Sequence, residues 1–239
     1  PPRPPDRPER LEYAGRDGTR FVNAVQNARL VVNAERYYRA MYRGSTVSWN
    51  LRDQHMFDTL GLLLQLHGPD ARGIVWAHNS HLGDASATAM GARGEHNVGQ
   101  LAREAHGSAA YLVGFGTHIG TVAAAADWGE PMQVMAVRPS HPRSYEQLAH
   151  ESGVRNFLLP LRQPADTALR EQLLAERLER AIGVIYRPDT ELQSHYFAAS
   201  LPRQFDEWIW FDESAAVTPI GEEHRGELEG LPETFPFGL

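Results

Sequence analysis

The sequence predicts an α/β fold: a largely parallel sheet with flanking helices and a long N-terminal helical hairpin layer. Two observations carry this reading. Beyond residue 69, short continuous apolar runs of the kind buried on both faces of a sheet alternate with helical patterns. Before residue 69 there are two long helical patterns and no strand pattern. Strands alternating with helices define a parallel-sheet class.

The elements follow in order. The opening PPRPPDRPER is proline-rich and polar, so residues 1–16 read as a disordered linker and residues 17–239 as the folded part. A first helix is expected over about residues 17–43, where Phe21, Val25, Ala28, Val32, Tyr38 and Met41 keep three- and four-residue spacings except for the six-residue step from Val32 to Tyr38. Asp17 suits its N-cap and Gly44 its stop. Without internal proline or glycine it should form one continuous rod of roughly 40 Å. A second helix over about 50–67 ends at Gly68-Pro69. GIVWAH (73–78), YLVGFG (111–116), MQVMAV (132–137), NFLLPL (156–161) and AIGVIY (181–186) read as strands, and DEWIWFD (206–212) as a final extended stretch. IGTVAAAA (119–126) fits a strand or a short helix. Helices are expected over 97–106, 144–152 and 165–180, and irregular coil over 230–239.

Composition narrows the function classes. The 239 residues contain no cysteine, which removes disulfides, thiolate metal sites and cysteine nucleophiles and makes the cytoplasm the default compartment. All 23 basic residues are arginine, so Schiff-base chemistry and a Walker-type lysine are excluded, and no cofactor is expected. A net charge of −7 argues against nucleic acid as a partner. No apolar run approaches the ~20 residues that span a bilayer, so no membrane partner is expected.

Four clusters could carry chemistry, one of them SHYF with His195 and Tyr196, where Tyr196 reads as an amphipathic core residue rather than a catalytic one. AHNSH places His78 and His81 around Asn79 and Ser80 directly after an apolar run, and in open α/β sheets ligands bind beyond the carboxyl ends of strands. Two imidazoles there can act as base and electrostatic stabiliser, with Asn79 fixing a tautomer or binding an oxyanion. Polar residues that simply close a strand, and a histidine pair holding a metal ion, remain open alternatives; no HExxH spacing supports the metal. GARGEHNVGQL puts Glu95 at a glycine-bounded loop tip, either a base or a solvated carboxylate. GFGTHIGT offers Thr117 and His118 at a second strand end. There is no GxSxG elbow, which leaves water activated by histidine as the simpler mechanism than a serine nucleophile.

Taken in order, VQNARLVVNAERYYRAMYRG, SWNLRDQHM, VWAHNSHLGDA, GEHNVGQLARE, LVGFGTHIGTVAAAADWGEP, RAIGVIYRPDTELQSHYFAASLPRQFDEWIWFDES and LPETFPF resemble the erythromycin esterase-like family, in the manner of actinobacterial members, some fused to a phosphoribosyltransferase-like domain. The resemblance implies an α/β fold with a deep cleft. It also implies hydrolysis of macrolide-lactone or other esters by a histidine-activated water, and hence macrolide resistance. The family's glycine–glutamate–histidine–glycine motif, which supplies the principal catalytic histidine, does not occur in this sequence. The resemblance therefore implies the C-terminal part of such a domain, with the N-terminal half of the same polypeptide and a small ester or lactone as partners and homodimerisation through an exposed apolar patch. The AHNxH pair, His78 and His81, carries over as cleft-lining and catalytic. Asn79, Arg52, Glu95, Thr117 and His118 are the expected substrate-binding residues. The rival reading is a non-catalytic or regulatory binding module.

Overall fold

The computed structural model describes residues 19–42, 44–163 and 166–218. The linker 1–16, the cap Asp17 and the tail 230–239 lie outside them. Two compact units divide the chain between Ile74 and Val75.

The first unit is a pair of helices, α1 (Thr19–Met41) and α2 (Ser45–His67). α1 is continuous, as its lack of proline and glycine requires. Its sheltered stripe runs through Phe21, Val25, Arg29, Asn33, Tyr37 and Ala40, whereas Val32 and Tyr38, expected on the packed face, are about half exposed. Asn33 explains the offset: its amide Nδ2 bonds His55 Nδ1 on α2 at 2.7 Å, which turns that side of α1 toward its partner. α2 begins five residues earlier than expected, immediately after Gly44, whose φ of 144° is open to glycine and strained for other residues.

The second unit holds the sheets. Its elements are α3 (Asn79–Leu82), α4 (Ala89–Ala92), α5 (Val98–His106), β1 (Val113–Ala124), β2 (Gln133–Val137), α6 (Tyr145–Glu151), β3 (Asn156–Pro160), α7 (Thr167–Leu173), β4 (Arg177–Arg180), α8 (Glu191–Ser194), β5 (Tyr196–Ala199), α9 (Leu201–Gln204) and β6 (Glu207–Ser214). The main sheet has the order β2-β1-β6-β3, and β4 pairs with β5 in a separate ribbon. The class is mixed α/β, but the sheet is not largely parallel. Only β1 and β6 run parallel; β2 joins β1, and β3 joins β6, in antiparallel register.

Three expected elements differ. YLVGFG and IGTVAAAA fuse into the single strand β1. The expected helix 165–180 stops at Leu173, because the Tyr145 hydroxyl reaches the carbonyls of Leu173 and Ala175, and β4 then pairs with β5. GIVWAH and AIGVIY form no strand, apart from one parallel bridge between Ile185 and Ala125. Apolar content suits a strand, but a strand exists only where a neighbour accepts its backbone. Ile74 and Trp76 are 96% and 85% exposed, and the Trp76 ring leans on Phe115 at 5.7 Å.

The core centres on β6. Trp208 and Trp210 project inward with Tyr145, Leu161, Leu201 and Phe205, all nearly inaccessible to solvent. Asp206, at the start of β6, ties this region together. Its Oδ2 accepts the Leu112 amide at 2.7 Å and Arg103 Nη2 at 2.8 Å, and Oδ1 accepts Arg162 Nε at 2.6 Å. One buried carboxylate thus fixes the entry to β1, α5 and the end of β3 together. Removing one partner of such a group strands the others. Asp206→Ala should therefore lower the unfolding free energy by about 3–5 kcal/mol in urea titrations. A loss below about 1 kcal/mol would show that these arginines behave as ordinary surface ion pairs.

Candidate functional site

The turn that follows residue 77 is built by capping. His78 is the N-cap of α3, and its Nδ1 accepts the Ser80 amide at 3.2 Å, with Ser80 Oγ 2.9 Å away. Its Nε2 lies 2.9 Å from the Ile182 carbonyl. A carbonyl only accepts, so Nε2 carries the proton and Nδ1 is the acceptor. Asn79 acts like one residue of an added strand: Nδ2 donates to the Phe115 carbonyl at 2.7 Å and Oδ1 accepts the Phe115 amide at 3.1 Å. Asn97, the N-cap of α5, holds the turn from behind by donating to the carbonyls of Ser80 and Gly83 at 2.8 and 2.6 Å. A Cβ on Gly99 would sit 2.1 Å from the Leu82 carbonyl, so α5 approaches this turn as closely as only glycine allows.

His78, Asn79 and Thr117 line one cavity of about 150 Å³, together with Phe115, Gly116, Glu146, Arg180 and Ile182. Its wall is organised by Arg180, whose side chain is 2% exposed. Nη1 donates to the Arg138 carbonyl at 2.7 Å and pairs with Glu191 at 3.2 Å; Nη2 donates to the carbonyls of Thr117 and His118, the latter at 2.8 Å. Glu191 also accepts the Tyr186 hydroxyl at 2.9 Å.

The other sequence candidates fall elsewhere. His118 does not share the cavity, because it follows Thr117 on a strand and successive side chains face opposite ways. It is buried with Nδ1 2.6 Å from Ser140 Oγ, and it stacks on His150 at 3.6 Å, which in turn bonds Asp212 at 2.7 Å. Glu95 pairs with Arg93 at 2.8 Å and lines a separate cavity of about 750 Å³ with Asp84, His96 and Arg203. His81 sits in the last turn of α3 and is not among the residues that line this cavity. Arg52 belongs to the first unit, where its guanidinium lies 5.3 Å from the Trp49 ring centroid. Among the described residues no group of three or more histidine, aspartate or glutamate side chains is placed to hold a metal ion, and no helix is long and apolar enough to cross a membrane.

Sequence reasoning missed Glu146 and Arg180. Both look like ordinary charges on amphipathic segments, SYEQL and RLERA. Glu146 alone carried a trace, since it is the acid of an N-capped first turn.

A mixed α/β domain that brings a capped histidine turn against strand β1, over a buried arginine, defines the class. The chain belongs to the erythromycin esterase family, whose model matches residues 6–214. Solved structures share the fold. A succinoglycan biosynthesis protein is 20% identical over 75% of this chain and 42% of its own, with a TM-score of 0.58. A Bacillus cereus protein is 17% identical over 75% and 43%, with a TM-score of 0.61. A variant of the erythromycin esterase EreC, in its open conformation, is 18% identical over 74% and 41%, with a TM-score of 0.50. The chain thus spans about two fifths of the length of the solved structures it matches.

The histidines carry a stability signature. Burial, the largest influence, holds His78, His118 and His195 below the ordinary imidazole value of 6.5. Unfolding in mild acid therefore takes up protons that the native state lacks, and stability falls as pH drops below 6.5. Urea midpoints measured across this range should decline toward acid, with a shallower decline in His118→Asn. An identical slope in that variant would remove His118 from the account.

Proposed function

We propose that this chain supplies one wall of an ester-hydrolase site, where a carboxylic ester or lactone, macrolide lactones included, is cleaved by a histidine-activated water. The observation that supports this reading is the convergence of His78, Asn79 and Thr117 on one cavity in a member of the erythromycin esterase family. His78 is a positioning residue. Both its ring nitrogens are engaged, one by Ile182 and one by Ser80, so it orients the turn rather than removing a proton from water. Polarisation of the substrate or water is assigned in this reading to His81, on the same turn though not among the residues that line the cavity. In this reading the base is a histidine such as that of the family's glycine–glutamate–histidine–glycine motif, a motif that residues 1–239 do not contain. Opening a macrolide ring in a bacterial cytoplasm is the setting this assignment implies.

The chemistry dictates the test. Water loses a proton as it attacks the carbonyl, and a positioned base contributes about 10²–10⁴-fold. The 239-residue chain alone should hydrolyse aryl esters and macrolides no faster than its His78→Ala, His81→Ala double variant. Supplied with an N-terminal segment of a family member that carries the motif, it should gain a rate that His81→Ala abolishes. A histidine-dependent rate from the chain alone would place the base within it. No rate from the reconstituted protein would leave the binding-module reading in its place.

A further inference from the structure

The main sheet has one bare apolar face, and cross-strand register fixes which side chains share it. Phe115 on β1, Ile209 on β6 and Leu158 on β3 stand in one row, and Phe211 follows Ile209 two residues on. The alternate residues face the core. Trp208 and Trp210 are buried there, and a Cβ on Gly114 or Gly116 would run into Phe205 or Trp208. Phe115, Phe211 and Leu158 are 39%, 44% and 55% exposed, and the Trp76 ring extends the patch beside Phe115. A sheet face left to water ordinarily carries polar residues. This one carries two phenylalanines, an isoleucine and a leucine, which marks a surface built to be covered.

Charge and chain length narrow the occupant. Glu207 and Glu213 belong to the same face and bracket the patch along β6. Glu207 accepts the Tyr111 hydroxyl at 3.2 Å, and Glu213 pairs with Arg155 at 3.5 Å. Two copies laid face to face would gather four carboxylates round an apolar centre, an unfavourable juxtaposition. Residues 219–239, outside the described residues, offer a better match. In LPETFPFGL, Leu231, Phe235, Phe237 and Leu239 fall at alternate positions, interrupted only by Glu233. Extended backbone turns such residues to one side every ~6.6 Å, the spacing of Ile209 and Phe211. Leu231 and Phe235 each precede a proline, which biases them toward extended backbone. The described chain runs to Thr218, and the Ala216 amide donates to Thr121 Oγ1 at 2.9 Å just past the end of β6. From Ser214 the patch lies about 17 Å back along β6. A coil from Thr218 to Phe235 covers roughly 20–25 Å, so the tail reaches it without stretching.

We infer that this face is the docking surface for the chain's own tail, residues 231–239, laid down in extended form with Phe235 and Phe237 against Phe115, Leu158, Ile209 and Phe211. The inference rests on register, exposure and sequence, and stands independently of the ester-hydrolase reading. Tethering holds the tail at roughly millimolar effective concentration, so modest apolar contacts suffice to seat it. Phe115 also lines the small cavity, and the docked tail therefore borders that cavity.

The absence of cysteine makes the test clean, because one introduced thiol takes a label at one place. Thr234→Cys in the 239-residue chain carries a nitroxide on the side of the tail turned away from the patch. The amide resonances of Phe115, Leu158, Ile209 and Phe211 should lose most of their intensity relative to the reduced label. Those of α6, which packs against Trp208 and Trp210 on the opposite face, should keep theirs. Adding Phe235→Ser and Phe237→Ser to the labelled chain should restore the signals, and so should Leu158→Glu. Unchanged dispersion of the core resonances reports that each variant is folded. Should Leu158→Glu fail to fold, the phenylalanine variant carries the test alone. A labelled chain mixed with an isotope-enriched chain that has no label should transfer no broadening. Broadening in that mixture would make a second copy the occupant and overturn the proposal. Equal broadening on both faces, none on either, or broadening that survives the phenylalanine variant would overturn it as well.

Discussion

A guanidinium taken out of water must be surrounded by acceptors, and Arg180 sets that requirement at the centre of the second unit. Arginine stays charged at any pH a cell experiences, so the requirement cannot be relieved by losing a proton. The acceptors come from sequence-distant places: β1 at Thr117 and His118, the loop after β2 at Arg138, and α8 at Glu191. The neighbouring backbone N–H of Arg180 is taken by Glu146 on α6. One side chain and its own amide therefore specify how four elements meet, and the small cavity is what their meeting leaves. Replacing the charge with an apolar group would leave three carbonyls and a carboxylate without their donor, which is why the pair with Glu191 matters more for the placement of elements than for net stability.

The turn carrying His78 is rigid for a different reason. Over 20 residues the chain closes four successive helix starts with side-chain caps: His78 to Ser80, Asp84 to Ser86, Thr88 to Met90 and Asn97 to Gln100. Each satisfies an amide that would otherwise need water. The segment has little regular structure, yet almost every change of direction is bonded, and Asn79 and Asn97 anchor it on opposite sides. A site built on such a loop is held to its geometry in the manner of a scaffold element.

Much of the architecture was legible in the sequence. α6 and β3 were readable from local pattern and flanking residues, and β6 from its aromatic alternation, because their burial follows from their own side chains. GIVWAH and AIGVIY were misread because strand formation depends on a neighbour that no local pattern reveals. The break between α7 and β4 was invisible since residues 174–176 contain neither glycine nor proline; tertiary bonds from Tyr145 decide it. His78, Asn79 and Thr117, singled out for following apolar runs, line one cavity, although the run before His78 forms no strand and Thr117 lies within β1 rather than at its end. Glu146 and Arg180 were not legible, because a charge on a helix or strand is ordinarily solvated, and only the packed structure shows that these two are dry.

Gly116 has a consequence for how such a site can diversify. A Cβ at this position would lie 2.1 Å from Cζ2 of Trp208, a residue wedged in the core of β6. Neither position can change alone: a side chain at 116 requires a smaller residue at 208, and a smaller residue at 208 first opens a hole beside Trp210 and Phe157. The floor of the cavity is locked by this mutual dependence. Lineages exploring new ligands must then work through Phe115 and Ile182 at its margin, where single substitutions alter the opening without passing through an unstable intermediate.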